Sequence, residues 1–174
     1  MLLDFFNTVA NLKNIPRQGW FDKLGIEKPE SVSDHTFSMT VMAMIFSDLQ
    51  RLDTLKILKM SLLHDLAESV TGDMTPSQIS KEDKAVLETQ HMTEILKNLP
   101  SELEREFLEL WHEFQQNLTP ESRMVHELDK LEMALQAKIY EKNGFGEIQS
   151  FLDSAQNQIQ NSELKEWLRK IINQ

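Results

Sequence analysis

The sequence predicts an all-α fold, a single-domain multi-helix bundle spanning residues 1–174. Apolar residues recur at three- and four-residue spacing nearly everywhere, as in Leu2, Leu3, Phe5, Phe6, Val9 and Leu12. Ser and Thr residues that start helices, and Pro and Gly residues that stop them, separate these stretches. Nowhere do β-branched residues alternate with a sustained period of two, as half-buried strands require.

The first amphipathic helix is predicted over 2–13 and ends before Pro16, because a residue preceding proline is pushed out of the α region. Residues 15–32 hold Pro16, Gly19, Gly25 and Pro29 and read as a loop with at most one turn. Ser33 is the expected N-cap of a long helix to about Leu49, with Asp34 in its first turn complementing the helix dipole. A helix from about Thr54 to Glu68 follows, broken by Gly72, and Thr75–Pro76 continues the irregular stretch. Ser80 caps the next helix, which Pro100 ends. Ser101 and Glu104 read as a capping box for 102–116. Thr119 precedes Pro120 at the first position of a helix to about Lys142, stopped by Asn143–Gly144. Helices over about 147–158 and 162–173 close the chain.

Composition narrows the function. The longest apolar runs, such as VMAMIF at 41–46, fall far short of the ~20 residues of a membrane span, so no membrane partner is expected. Asp4 comes early and no basic segment or small-residue cleavage site follows, so the N-terminus does not read as a signal peptide; the expected compartment is the cytoplasm. With no cysteine, a metal would have to be held by His, Asp and Glu. The net charge of −10, without a basic cluster, argues against nucleic acid as a partner. It leaves room for a small phosphorylated substrate, which needs only a local cation.

The stretch SLLHDLAESV (61–70) raises the chemical question. Leu62, Leu63, Leu66 and Val70 recur at helical spacing, yet His64, Asp65 and Glu68 share the segment. Such groups are costly to bury unless something compensates them. His64 and Glu68, four apart, fall on one helical face, with Asp65 about 100° round. An isolated His-Asp pair is usually structural or solvated. His35, in the first turn of the long helix, and Asp129, at the edge of the stripe Val125, Leu128, Leu131 and Leu135, change that weighing. Together these residues run H…HD…D across three helices.

That order, with PRQGW (16–20), ESVSDHTFSM (30–39), KMSLLHDLAESVTGDMTPSQISKEDK (59–84) and ELDKLEMALQAKIYE (127–141), resembles the HD-domain metal-dependent phosphohydrolases, in particular their 5′-deoxynucleotidase branch. The resemblance implies a metal-site core over about 30–142 with the C-terminal helices packed on it. It makes His35, His64, Asp65 and Asp129 the ligands of one divalent transition metal: Mn²⁺, Co²⁺, Zn²⁺, Fe²⁺ or Ni²⁺. Glu68 becomes the carboxylate that activates water. Asp73, after the Gly72 break, binds substrate, assists catalysis or joins Glu68 around a second cation; a turn-stabilising Asp is the plain alternative. Arg17 and Trp20 are expected at the substrate, Arg17 on its phosphate, with His35 and Asp129 also facing it. Lys130 reads equally as a phosphate contact or a surface lysine. His91, His112 and His126 lack the spacing to join the cluster, although His126 lies near its rim.

The implied activity is hydrolysis of (deoxy)nucleoside 5′-monophosphates. The alternatives are a regulatory HD-type module with a vestigial site, or action on another nucleotide phosphate ester. The resemblance also implies a homodimer, for which Phe107, Leu110, Trp111 and Phe114 in 101–116 offer an apolar patch.

Overall fold

The computed structural model describes residues 1–174. Ten α-helical segments form the bundle: α1 (Leu2–Asn11), α2 (Gln18–Leu24), α3 (Val32–Gln50), α4 (Thr54–Leu63), α5 (Glu68–Thr71), α6 (Lys81–Leu96), α7 (Ser101–Gln116), α8 (Pro120–Lys142), α9 (Gln149–Gln158) and α10 (Ser162–Ile172). There is no strand, only an isolated bridge between Pro16 and Ser31. No helix is long and apolar enough to cross a membrane.

Helix α8 is the centre, packing against α3, α4, α7, α9 and α10. Its Val125, Leu128, Ala134 and Ala137 are fully buried, as is Ala43 of α3, and such small residues let neighbouring helices approach closely. Thr119 caps α8 by accepting from Ser122 N, with Pro120 at the first position where no amide partner is needed.

Four local expectations are corrected. The N-cap of α3 is Ser31, not Ser33: Ser31 Oγ accepts from Asp34 N, and Asp34 Oδ2 accepts from Ser31 N. The chain is already extended there, because Arg17 N donates to Glu30 O (3.0 Å) and Val32 N to Ile15 O (2.8 Å), so the helix begins on leaving that pairing. The segment expected as a loop contains the two-turn helix α2, closed by Gly25 at φ 66° with Ile26 N returning to Trp20 O. Buried Trp20 anchors it against Tyr140 and Phe151, a tertiary contact that outweighs the local glycines. Ser101 forms no capping box; Pro100 occupies the cap and Glu104 N bonds to its carbonyl.

The fourth correction positions the site. The helix expected over 54–68 stops at Leu63, and residues 64–70 wind with i→i+3 bonds (Leu66 N to Leu63 O, Glu68 N to Asp65 O, Ser69 N to Leu66 O) before Gly72 ends the segment. Ser61 O, which a continuing α-helix would offer to Asp65 N, faces the His64 imidazole instead. This tighter winding is a common feature of functional positions in helices.

Candidate metal centre

Three elements deliver the four sequence-predicted ligands to one place. His35 comes from the first turn of α3, His64 and Asp65 from the tight winding after α4, and Asp129 from the middle of α8. One nitrogen of His35, one of His64 and one carboxylate oxygen of Asp129 lie within 4.8 Å of one another. Asp65 Oδ2 completes the ring at 3.1 Å from His64 Nε2 and 3.9 Å from His35 Nε2. Asp129 Oδ1 stands 3.2 Å from His35 Nε2.

These donors fit a divalent cation, and the imidazoles are the test. His64 Nδ1 lies 2.6 Å from Ser61 O. A carbonyl only accepts, so the proton sits on Nδ1 and the neutral ring offers a lone pair at Nε2. His35 Nδ1 lies 2.6 Å from Glu132 Oε2, a carboxylate that is 2% exposed. Both Nε2 atoms are buried and lack a hydrogen-bond partner. A back-side acceptor that fixes ring and tautomer is how metal-ligating histidines are oriented. The two carboxylates, two imidazoles and absence of thiolates suit a first-row divalent ion.

Electrostatics agree for the carboxylates, whereas His35 holds a proton between Asp129 and Glu132 that a bound cation would have to displace. Burial and Arg17 favour neutral His35, but its contacts with Asp129 and Glu132 outweigh them and lift the imidazole to about 9. Burial opposes ionisation of Asp65 and Asp129, yet both are held well below the usual carboxylate range. His64, Arg17 and His35 stabilise Asp65, whereas Lys130, His35 and Arg17 stabilise Asp129. Such anions are ready to bind a cation at neutral pH. Glu68 goes the other way: burial beside Asp65 and Asp73 pushes its carboxyl up, against the pull of Lys84 and Arg17.

A cavity of about 810 Å³ opens over the cluster, within the range of small-molecule sites. Arg17, Asp65, Glu68, Asp73, Asp129 and Lys130 line it. Arg17 Nη1 is 3.4 Å from Asp65 Oδ2 and its Nη2 is 3.9 Å from Asp129 Oδ1, placing the guanidinium at the cluster's mouth. Lys130 Nζ pairs with Asp129 Oδ2 at 2.8 Å.

Of the expected substrate contacts, Trp20 and Asp73 line the cavity and His35 does not. His35 is fully buried and absent from the cavity wall, so it faces the cluster rather than the substrate. Trp20 is 2% exposed and its indole N–H donates to Glu30 Oε1 (2.9 Å), leaving only ring surface at the wall. Asp73 lines the cavity, but its Oδ2 accepts from Gln18 N (2.8 Å), the first amide of α2. His126 stacks on Phe114 at 4.1 Å between centroids and stays outside the cluster.

Sequence reasoning missed Glu132, Lys84 and the α9 wall. Glu132 stands three residues after Asp129, beside the apolar stripe of α8, which is the one signal that could have marked it. Lys84 Nζ pairs with Glu68 Oε1 at 3.1 Å. Ser150, Ser154 and Gln158 of α9, at i, i+4 and i+8, give the cavity a polar side.

Residues 9–171 match the model of an HD domain family. A 5′-deoxynucleotidase of Mus musculus, HDDC2, is 41% identical over 166 residues, covering 94% of this chain and 82% of its own length. The 5′-deoxynucleotidase YGK1 of Saccharomyces cerevisiae is 34% identical over 177 residues, covering 98% and 81%. The crystal structure of the PH0347 protein of Pyrococcus horikoshii superposes with a TM-score of 0.80 at 31% identity, covering 98% of this chain and 96% of that one. With the match running almost end to end and the H…HD…D residues gathered around one buried centre, the chain belongs to the HD-domain family.

Proposed function

We propose that this protein is a metal-dependent 5′-deoxynucleotidase, converting deoxynucleoside 5′-monophosphates to nucleoside and inorganic phosphate. The observation that carries the reading is the pair of buried imidazoles, each tied back through Nδ1, whose Nε2 atoms converge with Asp65 and Asp129 beneath a cavity bearing Arg17. Family relatives named as 5′-deoxynucleotidases support the substrate class. The donor set speaks against a vestigial regulatory module, since every ligand of the pattern is present.

Asp65, Asp129, His35 and His64 would hold the cation, which when bound polarises the phosphoryl group and makes water more acidic. Arg17 binds the phosphate oxygens, its guanidinium offering paired donors and neutralising charge. Glu68, raised by burial, is suited to take a proton from the attacking water at Oε2, which no protein group occupies. The water oxygen bonds to phosphorus as the ester P–O bond breaks, and the departing 5′-oxygen takes up the proton that Glu68 removed, giving the nucleoside hydroxyl. Lys84 supplies positive charge beside Glu68, and Glu68 and Asp73, both on the cavity wall, are the carboxylates that would hold a second cation.

The test is release of inorganic phosphate from matched deoxy- and ribonucleoside 5′-monophosphates, by metal-stripped protein and after adding Mn²⁺, Co²⁺, Zn²⁺, Fe²⁺ or Ni²⁺ singly. Cation-dependent release favouring deoxy substrates is expected. Equal release without any cation, or preference for triphosphates, contradicts the reading.

We also propose a homodimer, but not through α7. Leu110, Trp111 and Phe114 are buried core and Phe107 packs against it, which corrects the expected patch. An exposed apolar stripe lies on α3, where Phe37, Val41, Met44 and Ile45 share one face.

A further inference from the structure

Glu30 stands outside the cavity wall, yet α2 and α8 are both fastened to it. Its backbone carbonyl accepts from Arg17 N at 3.0 Å, and its Oε1 accepts from the indole N–H of Trp20 at 2.9 Å. Arg17 is the N-cap of α2 and Trp20 its third residue, so one residue clamps both ends of that helix's first turn. Glu30 N in turn donates to the Tyr140 hydroxyl at 2.9 Å, about three turns beyond Asp129 on α8. Arg17 and the candidate ligand Asp129 are thereby referred to the same helix.

The Arg17 side chain has little of its own to fix it. Its guanidinium stands 3.4 Å from Asp65 Oδ2 and 3.9 Å from Asp129 Oδ1, long contacts to two carboxylates that a cation would claim. Its place over the cluster therefore comes from its backbone, held at Gln18 N by Asp73 and at Arg17 N by Glu30. The Trp20 ring packs on Phe151 and Tyr140 at 4.2 and 5.2 Å between centroids, but such apolar contact is non-directional. The bond from the indole N–H to Glu30 is the directional tie. A carboxylate is a costly acceptor at this position. Glu30 is half-buried, one of its oxygens lies within 4.8 Å of a His35 nitrogen and a Glu132 oxygen, and the Trp20 N–H is the only hydrogen bond its carboxylate makes. Any acceptor would satisfy a buried indole. Setting that acceptor on the residue that also holds the Arg17 amide ties the indole to the phosphate end of the site.

We propose that Glu30 is a positioning residue for Arg17: by pinning Trp20 through its carboxylate while its carbonyl holds the Arg17 amide, it sets the start of α2 so that the guanidinium overhangs the cluster. It touches no substrate, and it acts as a hydrogen-bond acceptor rather than as a charge. Its kinetic expression rests on the phosphatase reading, so affinity for inorganic phosphate is measured beside turnover.

Glu30→Leu, Glu30→Gln and Trp20→Phe are compared with wild type, alone and combined with Arg17→Ala. The metal-loaded proteins are assayed by elemental analysis, by KM and kcat on deoxynucleoside 5′-monophosphates, and by calorimetric titration with inorganic phosphate. Glu30→Leu is expected to keep its bound metal, to lower kcat/KM about 5- to 20-fold by the same factor for every accepted monophosphate, and to weaken inorganic phosphate to a similar extent. Trp20→Phe, which keeps a ring and loses the N–H, follows it. Glu30→Gln, which still accepts, stays within about twofold of wild type. In the Arg17→Ala background Glu30→Leu costs nothing further, because a residue that acts through Arg17 then has nothing to position. An undiminished loss in that background makes Glu30 a general support of the fold and overturns the proposal. Wild-type kcat/KM in Glu30→Leu or Trp20→Phe, loss of bound metal in Glu30→Leu, or Glu30→Gln as impaired as Glu30→Leu overturns it too. If Glu30→Leu fails to fold, Trp20→Phe alone and with Arg17→Ala decides by the same outcomes. Wild-type protein inactive on every monophosphate removes the phosphatase reading, and inorganic phosphate affinity alone then decides the role of Glu30.

Discussion

Glu68 and Arg17 divide the work that the ligands cannot do. Glu68 lies outside the ligand set, with one oxygen tethered and one free. Glu68→Gln should keep bound metal and lose turnover by about 10²–10⁴-fold, the usual contribution of a placed acid–base group. Metal analysis and kcat on the same sample check it; wild-type kcat would move the role to Asp73. Arg17→Ala should lower kcat/KM by a similar factor for every accepted monophosphate, about 1.5–3 kcal/mol for a charge-assisted contact. A changed deoxy-to-ribo ratio with intact phosphate affinity would contradict that assignment. Glu30 makes a separate, pH-dependent prediction. Burial and Glu132 raise its carboxyl to about 7 despite the bond from Trp20. The unfolded chain releases this proton near its ordinary 4.5, so between there and about 7 the folded state holds more protons and loses stability as pH rises. Above about 7 the penalty is complete. Glu30→Gln, which still accepts from Trp20, should therefore melt higher than wild type at pH 8, with the gain vanishing near pH 4; a gain independent of pH would refute the sign.

At the scale of elements, the departures from sequence expectation cluster where tertiary contacts compete with local signals. Motif order placed His35, His64, Asp65 and Asp129 because those residues announce themselves by type and sequence. The break after Leu63 was illegible, since its apolar spacing continues through Val70 while the backbone tightens to free Ser61 O for His64. Helix α2 was hidden by Gly19 and Gly25, and only the docking of Trp20 on Phe151 and Tyr140 reveals why it forms. Lys84 gave no signal because its partner lies on another element, and Glu132 because its partner His35 is 97 residues away. Gly72, by contrast, was legible as a breaker and has a φ of 74°. A Cβ there meets nothing within 4 Å, but ψ of 166° puts the residue in a region only glycine populates freely, so Gly72→Ala should cost about 1–3 kcal/mol from backbone conformation alone, read as a lower Tm. An unchanged Tm would mean that the turn relaxes without strain.

For the whole molecule, α8 at the centre links stability to the site: Asp129 and Glu132 project from the same helix that buries Leu128, Leu131 and Ala134. The outer face of α3 carries exposed apolar side chains, with Phe37 73% and Ile45 51% exposed. A dimer of 20.3 kDa chains in analytical ultracentrifugation, converted to monomer by Met44→Glu, is the expected result, and a wild-type monomer contradicts the proposed assembly. The account as a whole turns on whether one buried centre holds one cation. Elemental analysis of purified wild type beside Asp65→Ala, with helical content followed by circular dichroism, tests that most directly. The account predicts about one divalent ion per wild-type chain and near-total loss from an equally helical Asp65→Ala; equal metal in both proteins would contradict it.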